Sequence, residues 1–243
     1  MNSLPRALSL DLDDTLWPIW PAIERAEQAL DAFLRRHCPR TAARFPVAKM
    51  RELRARVAAE QPHIAHDFTR QRLVSLEWAL CEAGDDVAMA RAAFDVFYEA
   101  RNRVEFYPDA LDALERLAAR APVAALTNGN ADLARIGIQG HFRAYVSARD
   151  TGVAKPEPPI FLAACERLGA APHEVLHVGD DPHLDVAGAR RAGLRTCWIN
   201  RGNAHWPREL PRPDLEFGTL AGLADWLERH TLSPDQPLSL ETR

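Results

Sequence analysis

The sequence predicts an α/β protein whose parallel sheet is interrupted, after its first strand, by a long helical insertion. From residue 107 to residue 230, short apolar runs alternate with segments that carry apolar residues every three or four positions. This alternation is typical of a parallel sheet covered by helices on both faces. Between residues 17 and 106, only the helical spacing occurs.

Five strands are predicted, because each is a short apolar run without polar alternation, as expected of strands buried on both sides. They are residues 7–12, 123–127, 144–148, 175–179 and 195–200. The helices between and after them are residues 109–120, 131–137, 158–169, 184–193 and 220–230.

The insertion is predicted to hold four amphipathic helices, which prolines and a Gly84-Asp85-Asp86 run separate from one another. These helices are residues 23–37, 47–60, 69–84 and 89–102. The predicted domains are therefore an α/β core formed by residues 1–16 and 107–230 and a helical cap formed by residues 17–106. Residues 231–243 are rich in proline and polar residues, and we expect a flexible tail there.

Composition excludes several classes of function. The chain has 243 residues and a formal net charge of -4, without the basic patch expected of a nucleic-acid binder. No apolar run reaches the roughly 18 residues that span a bilayer, and no signal peptide is evident. We therefore expect a cytoplasmic protein, monomeric or homodimeric, without a nucleic-acid or membrane partner. The four cysteines form no CxxC pair, which argues against zinc and favours small buried side chains.

Polar residues follow three of the predicted strands and one loop. In an open parallel sheet, such residues meet at the carboxyl edge, where ligands bind. They are Asp11, Asp13, Asp14 and Thr15 after the first strand, Thr127, Asn128 and Gly129 after the second, Lys155 in a loop, and Gly179, Asp180, Asp181 and Asp185 after the fourth.

The carboxylates at this edge raise an electrostatic question. Alternation places Asp11 and Asp13 on the same side of an extended chain. Two carboxylates about 4 Å apart repel by several kcal/mol at an effective dielectric constant of about 20. Either one of them stays protonated, or a divalent cation neutralises the cluster. All the candidate ligands are oxygens, which favours Mg²⁺ over Zn²⁺.

Together these residues supply the parts of a phosphoryl-transfer site. A carboxylate beside the metal can act as a nucleophile, and a second one can protonate the leaving oxygen and then activate water. Thr127 and Lys155 suit the remaining phosphate oxygens. Each motif taken alone is also compatible with a helix cap, a turn or a surface lysine. Their order and their common position at strand ends favour the functional interpretation.

Four segments, LDLDDTL, LTNGN, AKPEP and HVGDDPHLDVAGARRAG, resemble the four motifs of the haloacid dehalogenase superfamily. The resemblance implies a Rossmann-like core, a helical cap of the first type and a Mg²⁺-dependent hydrolase. It implies that Asp11 is the nucleophile and a metal ligand, and that Asp13 is the general acid/base with its backbone carbonyl on the metal. The other implied roles are phosphate binding by Thr127, Asn128 and Lys155, and metal binding or support by Asp180 and Asp185.

Asp13 also implies which bond is cleaved, since members of the superfamily that release halide lack an acid at this position. The cap resembles bacterial phosphatases of flavin mononucleotide (FMN) and of 5-amino-6-(5-phosphoribitylamino)uracil, which implies a small phosphorylated metabolite, such as one of riboflavin biosynthesis, as the substrate. Trp17, His66 and Arg70 are candidate specificity contacts, although packing of the cap against the core, a helix start and an exposed arginine are the favoured explanations. A sugar-phosphate mutase and a non-catalytic phosphate-binding module are the alternatives.

Overall fold

The computed structural model describes residues 4–231, which contain a six-stranded sheet that is parallel throughout. The spatial order of the strands is β3-β2-β1-β4-β5-β6. β1 therefore lies between β2 and β4, and Leu8 pairs with Val123 on one side and Leu176 on the other. The strands are β1 (Ala7–Leu10), β2 (Val123–Thr127), β3 (Ala144–Ser147), β4 (Val175–Gly179), β5 (Arg195–Ile199) and β6 (Leu215–Phe217).

The predicted α/β fold class with a Rossmann-like sheet is confirmed, and each predicted helical segment contains a helix, but the helices Pro39–Arg44 and Ala148–Thr151 were not predicted. The α-helices are α1 (Ile19–His37), α2 (Pro39–Arg44), α3 (Val47–Glu60), α4 (Phe68–Ala83), α5 (Met89–Arg101), α6 (Ala110–Ala118), α7 (Leu133–Ile136), α8 (Ala148–Thr151), α9 (Pro158–Leu168), α10 (Gly188–Arg191) and α11 (Leu220–Thr231). A π-helical turn over Pro182–Ala187 precedes α10, in place of the single helix predicted for residues 184–193.

Two apolar clusters cover the two faces of the sheet. Alternate residues of β2 point to opposite sides, so that Val123 belongs to one cluster and Ala124 to the other. The first cluster includes Leu114 of α6 and Leu223 of α11, and the second includes Phe161 of α9. Because both faces are buried, the strands show the uninterrupted apolar runs from which they were predicted.

A third apolar cluster lies entirely within the helical insertion. It contains Leu30 of α1, Leu53 of α3, Leu80 of α4 and Phe97 of α5, all of them buried. The insertion has a core of its own, which supports its description as a separate unit. We keep the boundaries of 17–106 as a proposal and call these residues the cap. The predicted flexible tail lies outside the described residues, apart from Thr231.

Two further observations bear on the sequence predictions. Cys38, Cys165 and Cys197 are buried as expected, but Cys81 is exposed on α4. Among residues 4–231, no helix combines the length and the apolar composition that crossing a membrane requires.

Candidate active site

The sheet brings the polar strand ends together. Asp11 directly follows β1, Thr127 ends β2 and Asp180 directly follows β4. Since these three strands are neighbours and parallel, their carboxyl ends meet at one edge, as the sequence predicts. Asp11, Asp13, Thr127, Asn128, Lys155, Asp180 and Asp185 all line one cavity of about 420 Å³.

Asp11 is buried at the bottom of this cavity. The Lys155 ammonium donates a hydrogen bond to its Oδ1, and the Thr15 hydroxyl donates to its Oδ2 over 3.2 Å. Burial raises the pKa of Asp11 well above the ordinary value, and the neighbouring Lys155 opposes that rise. The carboxylate is thus oriented by two donors.

Lys155 lies between two carboxylates. Its ammonium also donates to Asp185 Oδ1 at 2.7 Å. Burial lowers the pKa of Lys155, but Asp11 and Asp185 outweigh it and hold that pKa above the ordinary lysine value. Asn128 fixes the loop, because its Oδ1 accepts from the Lys155 main-chain N–H at 2.7 Å and its Nδ2 donates to the Lys155 carbonyl at 2.9 Å. The phosphate contact of Asn128 itself stays a prediction.

The Asp185 carboxylate contacts three polar groups of the site. It accepts from the Lys155 ammonium, as described above, and from the Asp181 main-chain N–H at 3.0 Å. Its Oδ1 also lies 3.1 Å from His177 Nε2. Burial raises the pKa of Asp185, yet Lys155 and His177 lower it to a net value below the ordinary range. On the other ring nitrogen, His177 Nδ1 is 2.8 Å from the Ser9 hydroxyl.

The sequence predictions missed His177 and Ser9. They are polar residues within β4 and β1, and in the structure they form a buried pair between these adjacent strands. The only sequence signal was a polar residue at a central position in each of two otherwise apolar strands.

The acidic residues fit a divalent cation. Asp11, Asp180 and Asp185 each offer a carboxylate oxygen, and these oxygens lie within 4.8 Å of one another. Burial and the nearby Asp185 raise the pKa of Asp180 to about 7. A cluster of carboxylate oxygens with a single lysine among them suits Mg²⁺, which prefers oxygen ligands. The Asp13 carboxylate is not part of this group, which leaves its backbone carbonyl as the contact predicted for the metal.

Asp13 is instead bound by the cap. Arg101, the last residue of α5, donates from Nη2 to both Asp13 oxygens at 2.8 and 2.9 Å, and Trp17 Nε1 donates at 2.8 Å. Arg101 Nε also donates to Asn130 Oδ1 at 3.1 Å, while its buried Nη1 has no hydrogen-bond partner within residues 4–231. The sequence predictions missed Arg101, because nothing in a helical repeat shows that one arginine reaches the sheet.

The cap lines the other side of the cavity, but not with the predicted specificity residues. Trp17 is fully buried, packs edge-on against Phe106 with ring centroids 5.5 Å apart, and does not line the cavity. This position corrects the prediction that Trp17 contacts substrate. His66 and Arg70 are also absent from the described residues around the cavity, and Arg70 is exposed.

The segment around His66 and Arg70 does reach the cavity through its neighbours. Asp67 caps α4 by accepting from the Arg70 main-chain N–H at 2.9 Å, so the helix begins at Phe68. The cap residues around the cavity are Ile19, Trp20, Ile23, Arg54, Phe68, Gln71, Arg72, Phe97 and Arg101. Among them, Ile19, Phe68, Gln71 and Arg72 lie one or two positions along the chain from a predicted residue.

Comparison with known proteins agrees with this geometry. A model of the haloacid dehalogenase-like hydrolases matches residues 5–193. The chain belongs to this family. The predicted resemblance to the superfamily is confirmed, and the match includes the whole cap and four of the six strands.

The relatives include both phosphatases and dehalogenases. The chain is 36% identical over 225 residues to the 5-amino-6-(5-phospho-D-ribitylamino)uracil phosphatase YigB of Escherichia coli, covering 89% of this chain and 94% of YigB. It is 38% identical over 148 residues to a phosphoserine phosphatase of Thermus thermophilus, covering 58% and 59%. A crystal structure described as 2-haloacid dehalogenase from Pseudomonas syringae pv. Tomato superposes with a TM-score of 0.87 at 36% identity, covering 93% and 100%.

These similarities support the predicted enzyme class. The haloacid dehalogenase-like hydrolase described here has an intact set of acidic, hydroxyl and lysine side chains around one cavity, and phosphatases are among its relatives.

Proposed function

We propose that this hydrolase is a Mg²⁺-dependent phosphatase that cleaves small phosphate monoesters through an aspartyl-phosphate on Asp11. One observation carries the proposal. Asp11 is oriented by Lys155 and Thr15, next to Asp180, while Asp13 lies two residues further on along the same cavity. One cavity therefore holds the proposed nucleophile Asp11, the lysine cation, a candidate metal ligand and the proposed acid/base.

In the first step, an Asp11 carboxylate oxygen attacks the phosphorus of the ester and the bond to the leaving oxygen breaks. Asp13, in its protonated form, gives its proton to that oxygen, so the product is a neutral alcohol. In the second step, Asp13 takes a proton from water, and the water oxygen attacks the phosphorus of the aspartyl-phosphate. Inorganic phosphate leaves, and the Asp11 carboxylate and the Asp13 acid are restored.

Binding of the phosphate is assigned to the groups around Asp11. The Lys155 ammonium supplies a fixed positive charge. Thr127 Oγ1 accepts from the Gly129 main-chain N–H at 2.9 Å, which leaves its own hydroxyl proton free to donate to a phosphate oxygen. Glycine is required at position 129, because a Cβ there would lie 2.6 Å from Asp13 Oδ2.

The metal site is assigned to Asp11 and Asp180, with Asp185 in support and the Asp13 carbonyl as a further oxygen. When bound, Mg²⁺ would neutralise the clustered carboxylates and the charge of the phosphate. Asp185 already accepts bonds from Lys155 and Asp181, and so it holds its neighbours in place.

The substrate we favour is FMN or a ribitylaminouracil phosphate. The similarity to YigB, which extends over nearly all of both chains, supports a ribitylaminouracil ester. A cavity of about 420 Å³ is within the usual range for a small-molecule site. Dehalogenation is a second candidate because of the Pseudomonas syringae structure, but Asp13 favours a phosphate ester, since a leaving halide needs no proton.

Phosphate release tests the proposal. Purified protein is incubated with FMN, the ribitylaminouracil phosphate and phosphoserine, each with Mg²⁺ or with EDTA. We expect Mg²⁺-dependent release of inorganic phosphate and a loss of about 10³-fold or more in Asp11→Asn, as for other covalent nucleophiles. Asp112→Asn is the matched control, since Asp112 is an exposed residue of α6.

Other outcomes would reject specific parts of the proposal. An isomerised sugar phosphate would identify a mutase, and chloride release from 2-chloropropionate without phosphatase activity would identify a dehalogenase. Turnover of Asp11→Asn near the parent rate would show that Asp11 is not the nucleophile.

A further inference from the structure

The cap side of the cavity contains a buried arginine whose hydrogen-bond donors are unused. Arg72 on α4 lines the cavity together with the catalytic aspartates, and only 7% of its surface is exposed. Within residues 4–231, its guanidinium takes part in no hydrogen bond and no ion pair. A buried charged group with all of its donors unused is rare in folded proteins and marks a candidate ligand contact.

Packing holds this guanidinium in place. Its central carbon lies 3.4 Å from the centre of the Phe97 ring, so an aromatic face supports it. Burial, followed by the repulsion of Arg54, lowers the pKa of Arg72 well below the ordinary arginine value. Phe97 cannot accept hydrogen bonds in the guanidinium plane, and the donors of Arg72 therefore remain available.

The nearest acidic residue is engaged elsewhere. Glu27 on α1 accepts from Arg51 Nε at 2.9 and 3.1 Å and from Arg51 Nη2, and it lies 3.9 Å from Arg54 Nη2. One carboxylate thus faces three guanidinium groups in this part of the cap. The excess positive charge beside the cavity favours a ligand that brings oxygen acceptors.

The surrounding side chains indicate the shape of that ligand. Trp20 and Phe68 line the same cavity and are 62% and 47% exposed, which is unusual for large apolar residues. Ile23 and Phe97 complete an apolar surface around Arg72. Exposed aromatic side chains suit a flat ring more than a compact amino-acid carboxylate.

We propose that Arg72 is a specificity residue that binds carbonyl oxygens of a planar heterocycle in the leaving group, with Trp20 and Phe68 against the ring. This inference rests on the proposed phosphatase function and adds the class of alcohol that is released: one carrying a pyrimidinedione-type ring. A guanidinium presents paired N–H donors, and it can therefore meet ring carbonyls in one plane.

Two phosphate esters with the same sugar phosphate test this idea. Uridine 5′-monophosphate has the carbonyl-bearing ring, and ribose 5-phosphate lacks it. In Arg72→Met, we expect kcat/KM for uridine 5′-monophosphate and for FMN to fall about tenfold or more, with ribose 5-phosphate changed less than about twofold. Arg72→Lys should restore little, since it lacks the paired donors. Arg91→Met is the control, because Arg91 is exposed on α5 and outside the cavity.

A binding measurement separates this inference from the proposed phosphatase function. Riboflavin carries the ring without phosphate, and Arg72→Met should weaken its binding to the protein by a similar factor. If the parent protein cleaves no ester, the phosphatase proposal fails, while weaker riboflavin binding in the variant still supports Arg72 as a ring contact. Equal losses with all esters, a loss confined to phosphoserine, or unchanged riboflavin binding would overturn the inference.

Discussion

The two sides of the cavity differ in how their charges are paired. On the sheet side, Lys155 bonds to Asp11 and Asp185, and Asp185 bonds to His177. We call these four residues the floor. On the cap side, Arg72 has no ionic partner among the described residues. The floor is a closed network of short contacts, whereas the cap presents unused donors to the cavity.

Because of this difference, we expect the two sides of the cavity to contact different parts of the substrate. On the proposed function, the floor would contact the phosphate that all substrates share, and the loss of any one of its charges would leave a partner unpaired. The cap side, with the unused donors of Arg72 and its exposed aromatic side chains, would contact the part that varies between substrates. Substitutions in the floor should therefore lower activity toward every ester and lower stability as well, while cap substitutions should change selectivity.

The largest effect is expected from Lys155→Met, which removes the cation from the floor. Asp11 and Asp185 would then face each other without it, and losing one partner of a buried pair costs about 3–5 kcal/mol. We expect activity to fall about 10³-fold with all esters and the urea midpoint to fall with it. Lys49, the other lysine of the chain, is exposed, and Lys49→Met is the control. An active, stable Lys155→Met would show that the floor does not depend on its cation.

An intermediate effect is expected from Gly179→Ala, which tests how tightly the floor is packed. A Cβ at position 179 would lie 2.3 Å from the Asp185 carboxyl group, so that side chain must move. Overpacking of this kind costs about 1–3 kcal/mol. Thermal unfolding and kcat/KM should both decrease, by the same factor for different esters. Gly140→Ala has open space around its Cβ and should change neither; a loss that depends on the ester would contradict the comparison.

The smallest effect concerns Asp180 in the metal-free protein. Its folded pKa of about 7 exceeds the ordinary value of 3.8. The stability that its neutral form contributes is therefore present below about pH 4 and is lost as pH rises through 7. In EDTA, we expect the Tm of the parent protein to fall over this pH range relative to that of Asp180→Asn, which has no carboxyl group to ionise at this position.

The same two proteins should also differ in how their Tm responds to Mg²⁺. Because the cation would bind the ionised form of Asp180, adding it at pH 7 should raise the Tm of the parent protein more than that of Asp180→Asn. Parallel Tm curves for the two proteins in EDTA would show that Asp180 has no raised pKa.

Much of the sheet side of the cavity could be predicted from the sequence because the order of the strands is simple. Asp11, Thr127 and Asp180 each stand directly at a strand end, and parallel strands bring such ends together. His177 was missed because it lies within a strand, where an apolar run gives no reason to expect a buried ion-pair partner. β6 was missed because three partly exposed residues form too short a pattern.

The residues on the cap side of the cavity could not be predicted to the same degree. Periodicity located its helices, and α3 was predicted with its observed bounds. Which residues face the cavity depends on how each helix is rotated against its neighbours, and the sequence does not record that angle. α1 also begins at Ile19, four residues before the predicted start, because Asp14 Oδ1 accepts from the Ile19 main-chain N–H at 3.0 Å.

Arg101 gives the two sides of the cavity a mechanical connection. It ends the last cap helix, yet its guanidinium bonds to Asp13 and to Asn130, which both belong to loops at the sheet edge. A tilt of α5 away from the sheet stretches all of these bonds at once. In the proposed mechanism Asp13 delivers the proton, so a movement of α5 would free this side chain and would couple motion of the cap to proton delivery.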